Sequence, residues 1–544
     1  MTNKTPYIQV ILPLRLEWEP FYGVEESQSV AVGDRVEVVF AGRRYVGVVC
    51  AVNVTPTPGI KSILPARSSD LPAIFPEEIR FWQEMAQYYL CTVGEVYKAA
   101  YPELAQHKSR LALQENEPPR GVPALSPAQE RAATAMEQGF AAGKTVLLNG
   151  FSGPASLKLA VECLEKGRSV LYLAPEIGLS SQLEAYIRQS IPSLLVYHSA
   201  LTAGKRKQVA QALRTGQPCM VLGTRSALFL PFRQLGLIIV DQEHDTSFKQ
   251  DSPAPRYHAR ESAILLARIH HAHVLLSSAT PSFESLYNAQ SGLFVRVDLK
   301  EPFAAPDLQV IDISAETRKR GMSGTFSLKL LEQMHRVLDA GKEVLLVCRA
   351  IQAIPECKEE LKAIFGERSR IVTTTPAGAK LLPYGHYGLV AVLQADALLA
   401  KEDFRCDERA HQVLFQLRDR CEARGAFMVQ TREPAHPVFG AFTQDRTQQL
   451  MAERRQFGYP PFTRLVYINI HDNNTKRGIY MARELAKLLM QEIPGTVLAD
   501  VQLRIILPRD KTLLSRKQFI YSTVMDFEKV RKYIGHIHID VDPV

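Results

Sequence analysis

Asp241, Gln242, Glu243 and His244 close the apolar run Leu237-Ile238-Ile239-Val240, and two carboxylates beside an imidazole in that setting can do phosphate chemistry. Asp241 would hold Mg²⁺, a hard cation that takes carboxylate oxygen, and Glu243 would orient a water against a γ-phosphate. Together with His244 they form a Walker B edge in a DExH spelling. Such an edge works with a phosphate loop, G-x-x-x-x-G-K-[ST], whose glycines let backbone N–H groups wrap the phosphates. Its lysine meets the β/γ charge and its hydroxyl meets Mg²⁺. The corresponding stretch here is Gly150-Phe151-Ser152-Gly153-Pro154-Ala155-Ser156-Leu157. Ala155 stands for the second glycine, Ser156 for the lysine and Leu157 for the hydroxyl, while Pro154 removes a backbone donor. Lys158 comes two places late, and residues two apart do not share a helix face. Gly150, Gly153 and Ser156 therefore mark a degenerate nucleotide site that is not expected to bind ATP.

The elements that must position these residues are buried parallel strands. A continuous, largely β-branched run is the pattern of a strand covered on both faces, and ligands sit outside the carboxyl ends of such strands. Thr145 to Asn149 and Val344 to Arg349 repeat the pattern. With 544 residues, 46% hydrophobic and 22% charged, the chain can bury three or four domain cores. It shows no stretch of eighteen apolar residues and no charged-then-apolar leader, so a cytoplasmic protein without a membrane partner is expected. Lys and Arg number 65 against 57 acids, a net +8 that permits a polyanionic partner without demanding one. The eight cysteines are dispersed with no CxxC pair, which reads as reduced thiols and neither disulfides nor zinc ligands.

Outside this α/β part the patterns change. Val30 to Val49 alternates apolar and polar residues and turns at Gly33-Asp34 and Ala41-Gly42, the signature of a short-stranded β domain, which a helix over Pro76 to Tyr89 closes. His107 to Pro127 is polar and proline-rich, a linker. Near the C-terminus, strands are predicted at Leu465 to Ile470, Leu503 to Leu507, Phe519 to Val524 and Ile537 to Val541. Helices are predicted over Thr475 to Gln491 and Asp526 to Ile534, giving an α+β domain.

Further motifs stand in order along the chain: LAPEIGLSSQ (Leu173 to Gln182), GTRSALFLPF (Gly223 to Phe232), DQEHDTSFKQ and RYHAR, and VLLSSATP (Val274 to Pro281). This set resembles the primosomal protein N′ (PriA) family of superfamily 2 replication-restart helicases, from about residue 8 to the C-terminal HIDVDP. The resemblance implies an α/β protein with two RecA-like doubly wound lobes, a small mainly-β N-terminal DNA-binding domain and a C-terminal α+β domain. The implied division is 1–105 for 3′-end binding, 106–124 as linker, 125–300 and 301–445 as the lobes, and 446–544 as the last domain.

Carried over by position, Phe21, Tyr22, Phe40 and Lys61 match the family's pocket for a DNA 3′ end, although Ala41 replaces its glycine. Gln129 takes the adenine-reading place, and Thr224, Arg225, Lys511 and Arg516 are implied DNA contacts. The family's winged-helix module is missing after the linker, and of its cysteine-rich zinc module only Cys348 and Cys357 stand nearby, so no zinc is expected. Its arginine-finger motif survives as Gln416 to Ala423: Arg420 is present, the second arginine is Ala423, and Arg424 is out of register.

Two functions fit. One is a DNA-binding restart protein that recognises stalled or branched forks and recruits other primosome proteins, including single-stranded DNA-binding protein, with its motor vestigial. The other is an active ATP-dependent 3′–5′ helicase, which alone would need ATP and Mg²⁺. The Asp241/Glu243 pair favours the helicase; the joint loss of lysine, glycine, hydroxyl and finger register favours the first, which is the preferred reading.

Overall fold

The computed structural model describes all of the chain except residues 1–6, 26–27, 56–63, 70, 102–116, 123, 152, 176–180, 300–305, 367–369, 401–402, 441–445 and 532–534. It divides into two compact units, one made of 1–176, 184–298 and 458–544, the other of 177–183 and 299–457.

The first unit is built on a seven-stranded, all-parallel sheet. Its order is Phe294–Asp298, Thr145–Asn149, His273–Ser278, Leu235–Asp241, Ser169–Leu173, Met220–Gly223 and Leu195–Tyr197. Leu237, Ile238, Ile239 and Val240 are fully buried at its centre, as a run without polar alternation requires. The order sets Thr145–Asn149, His273–Ser278 and Leu235–Asp241 side by side, so the phosphate loop, the Ser-Ser-Ala-Thr turn and the acidic turn leave one edge together. That is the crevice in which doubly wound sheets hold ligands.

At the N-terminal end of this unit lies an antiparallel five-stranded sheet, ordered Phe21–Gly23, Tyr7–Ile11, Arg43–Val52, Arg35–Phe40, Arg67–Ser68. The expected hairpin turn at Ala41-Gly42 is present, both residues taking positive φ (49° and 77°). The Pro76–Tyr89 helix follows, and the linker expected over 106–124 lies mostly outside the described residues.

The C-terminal part is a four-stranded antiparallel sheet, Thr496–Ala499, Gln502–Pro508, Thr463–His471, His536–Val541, with helices Thr475–Met490 and Leu513–Arg531. Here one expectation is overturned. The predicted strand Phe519 to Val524 and the separate helix after it are a single 19-residue helix. Lys517, Ile520, Val524 and Phe527 are buried at spacings of three and four, so a helical packing face overrides the β-propensity of the run Phe-Ile-Tyr-Ser-Thr-Val.

The second unit has its own five-stranded parallel sheet, ordered Leu308–Asp312, Cys421–Thr431, Tyr387–Val392, Val344–Val347, Ile371–Thr374. The two parallel sheets bear out the two-lobed α/β architecture. No helix among the described residues is long and apolar enough to cross a membrane.

Candidate nucleotide edge and DNA contacts

At the phosphate loop Gly150 adopts φ 147°, which glycine alone takes readily, and its N–H donates to Ser278 O (2.9 Å). The Gly153–Glu165 helix then begins. Ser156 is buried and its hydroxyl donates to Gly153 O (3.0 Å), while Lys158 turns away to Glu130 Oε2 (3.1 Å). Neither side chain offers a cation to the loop. Phe151 is 60% exposed, and its ring lies where a Cβ on Gly153 would sit, so an apolar surface stands beside the start of the helix.

Across the edge, Ser277 Oγ donates to Asp241 Oδ1 (2.8 Å) and Ser278 Oγ meets His244 Nδ1 (2.6 Å), linking the Ser-Ser-Ala-Thr turn to the acidic turn. Asp241 is half-buried at the strand end. Glu243 overturns its expected role. It is 0% exposed, and its carboxylate accepts from Ser282 N (2.7 Å), Ser282 Oγ (2.9 Å), Ser285 Oγ (2.9 Å) and Arg260 Nη1 (2.8 Å). A carboxylate enclosed by four donors has no lone pair aimed at a water in the crevice. It is a structural node behind the edge. Burial alone would lower the Arg260 pKa, but Glu261 and Glu243 hold it well above the ordinary value. Desolvation would raise the pKa of half-buried Glu261, but Arg260 and His258 hold it well below the carboxylate range.

Gln129 is also reassigned. Its Oε1 accepts from Ser126 N (2.9 Å), and Ser126 Oγ accepts from Gln129 N (3.2 Å), a reciprocal cap on the Pro127–Ala141 helix. The carboxamide oxygen is thereby committed to the cap, which opposes the adenine-reading role. In the second unit Arg420 is buried, donates to Leu382 O and to Lys380 O (3.3 Å), and stacks 3.6 Å from the Tyr384 ring centre. Its guanidinium is engaged within its own unit, contrary to the finger expectation. Next to it, burial raises the Asp419 pKa to about 6 against the pull of Arg418 and Arg420.

The expected DNA contacts separate into buried and exposed groups. Tyr22 belongs to the core of the N-terminal sheet, donates to Val39 O (3.2 Å), and has its phenol pushed up to about 12 by burial. Its ring is not available for stacking. Phe21 and Phe40 are half-buried, and Lys61 lies outside the described residues. Thr224 is buried, and Arg225 Nη1 donates to Ser247 O (2.6 Å). Lys511 is exposed and Arg516 half-buried at the start of the last helix. Among the described residues no group of three His, Cys, Asp or Glu is placed to hold a metal.

Comparison with known proteins explains the order of these parts. A family model described as the PriA 3′DNA-binding domain matches residues 9–102, and one described as DEAD/DEAH box helicase matches 124–289. The replication restart protein PriA of Rickettsia felis is 24% identical over 98% of this chain and 99% of its own. The chain is similar to PriA proteins along nearly its whole length. PriA of Haemophilus influenzae is 30% identical over 58% of this chain and 57% of its own. The solved structure of RecG bound to a three-way DNA junction covers 69% of this chain and 52% of that one, at 15% identity and a TM-score of 0.40, too loose to add to the fold.

The DEAD/DEAH spelling that gives the matched helicase family its name puts glutamate directly after the aspartate. In this PriA relative that place holds Gln242, at φ 50°, and Glu243 is one residue late. Two acids close together, Asp241 and Glu243, mask Gln242 in the sequence. The signal was visible: counting back from His244 puts glutamine in the second place. A second missed residue is Lys249 of the DTSFKQ motif, buried with its Nζ on Val541 O (2.7 Å), Arg256 O (2.8 Å) and Asp540 Oδ1 (2.7 Å). It fastens the last strand to the 249–256 segment.

Proposed function

We propose that this PriA-like chain is a DNA-binding replication-restart protein that recognises stalled or branched forks and recruits other restart proteins, with a motor that does not hydrolyse ATP. The division of labour is the one expected from the sequence, with 1–105 for 3′ ends, 125–300 and 301–445 as motor lobes, and 446–544 as the branch- and partner-binding part. The observation that carries the inactive motor is at the acidic edge: a glutamine follows Asp241, and the neighbouring glutamate is enclosed by Arg260, Ser282 and Ser285. A carboxamide cannot accept the proton of an attacking water at neutral pH, and an enclosed carboxylate cannot reach one. The loop opposite supplies no lysine from Ser156 or Lys158, so ground-state phosphate binding is weakened as well. The residues present do not fit the phosphates of ATP.

The test is ATP turnover by the full chain with forked DNA present. No DNA-stimulated hydrolysis is expected, and Asp241→Asn should change neither turnover nor fork affinity. Fork-dependent turnover that Asp241→Asn abolishes would sink the proposal and establish the second reading, an active 3′–5′ helicase.

A further inference from the structure

We propose that Trp18 is a base-stacking residue, whose exposed ring takes an unpaired DNA base while Arg43 holds an adjoining phosphate. The proposal rests on the reading of the first domain as DNA-binding and names a contact within it. Trp18 lies between the Tyr7–Ile11 and Phe21–Gly23 strands and is 54% exposed. A single exposed aromatic is ordinary, but this one is mounted. Its ring stands edge-on to Phe40, centroids 6.4 Å apart and planes at 62°, and Phe40 in turn packs against the core of the sheet. The support fixes the indole while solvent reaches much of it.

The charge lies on the same side. Phe40 and Arg43 are direct cross-strand partners, so their side chains project from one face of the sheet. The hairpin tip between them, Ala41-Gly42, is open, with nothing within 4 Å of a Cβ placed on Gly42. The side chains of Arg43 and Arg44 are exposed and make no hydrogen bond or ion pair among the described residues. Of the two acids that flank Trp18, Glu17 is matched by Lys529 Nζ (2.7 Å) and Glu19 is half-buried. A supported aromatic face beside a free guanidinium is the arrangement by which proteins hold single strands, each stacked base contributing about 1–3 kcal/mol. Of the aromatics expected at the 3′-end pocket, Tyr22 is closed off in the core and Phe21 and Phe40 are half-buried.

The chain offers its own reporter. It has two tryptophans, and Trp82 is 0% exposed and stacked on Tyr97 at 5.3 Å, so a DNA-sensitive change in the solvent-exposed emission belongs to Trp18. The full chain would be titrated with a short oligo(dT), following indole emission and the anisotropy of a labelled strand together. Quenching with the same midpoint as binding is expected. Trp18→Ala should weaken binding about 5- to 150-fold, the stacking range converted to affinity. Trp18→Phe should restore most of that loss, and Arg43→Ala should lower the salt slope by about one. Binding without any change in indole emission, at wild-type affinity in Trp18→Ala, would overturn the assignment and leave the DNA-binding function standing. Failure to bind either single strands or forks would overturn the function and the assignment together.

Discussion

Two neighbouring layers of the first lobe differ in how their polar side chains are used. In the front layer, Gly150 to Lys158 with Asp241 and Gln242, Asp241 stands at the strand end while the side chains opposite are turned elsewhere: Ser156 bonds to its own helix turn and Lys158 faces Glu130. The layer behind it, Glu243, Arg260, Ser282 and Ser285, is a complete buried network in which every Glu243 oxygen is engaged. The difference teaches that an acidic motif can be retained for two separable reasons. A catalytic carboxylate is useful only with its nucleotide. A buried carboxylate that already holds an arginine cannot be lost without leaving a desolvated charge, whether or not the site in front of it reacts.

The sharpest way to break that comparison is Arg260→Ala. It strands Glu243 without its cation and should cost about 3–5 kcal/mol of stability, measured by denaturant unfolding. A cost near zero would mean that Glu243 is not a structural node.

A pH series probes the same logic at the joint with the C-terminal domain, where Lys517 is buried and donates to Tyr88 O. Burial moves its pKa from 10.5 to about 8, with Asp542 opposing. The unfolded chain therefore binds the extra proton between these values, and stability should rise as pH climbs through that window. The gain is on the order of 3 kcal/mol. Lys517→Met should flatten this rise relative to wild type, and an unchanged pH dependence would remove the burial argument.

Lys249→Met is expected to cost about 2–3 kcal/mol, because it leaves the Arg256 and Val541 carbonyls and the Asp540 carboxylate without their shared donor. Limited proteolysis should then release the C-terminal part earlier than in wild type. The smallest effect belongs to the front layer. Ser156→Ala removes one hydroxyl contact to Gly153 O and should change stability by less than about 1 kcal/mol, with fork affinity unaltered in an anisotropy titration.

What the sequence determined by itself was whatever depends on residue type and local period. The apolar run before Asp241 could only be a buried strand, and the absence of lysine at Ser156 needed no coordinates. The ordered motifs carried the family resemblance, and the alternation of Val30 to Val49 with its Ala41-Gly42 turn carried the hairpin. Tertiary structure decided which way side chains face and what they meet. Glu243 and Asp241 look alike as carboxylates two places apart, yet one ends the strand and the other turns into Arg260. Gln129 takes the adenine-reading place by position yet caps a helix; Tyr22 matches the 3′-end pocket by position yet fills a core; and the residues around Phe519 are helix because burial comes at every third and fourth position. The physical reason is common to all of them. Burial and partnership are set by what packs against a residue from distant parts of the chain, and a local pattern constrains them only where, as in the central strands, both faces are covered.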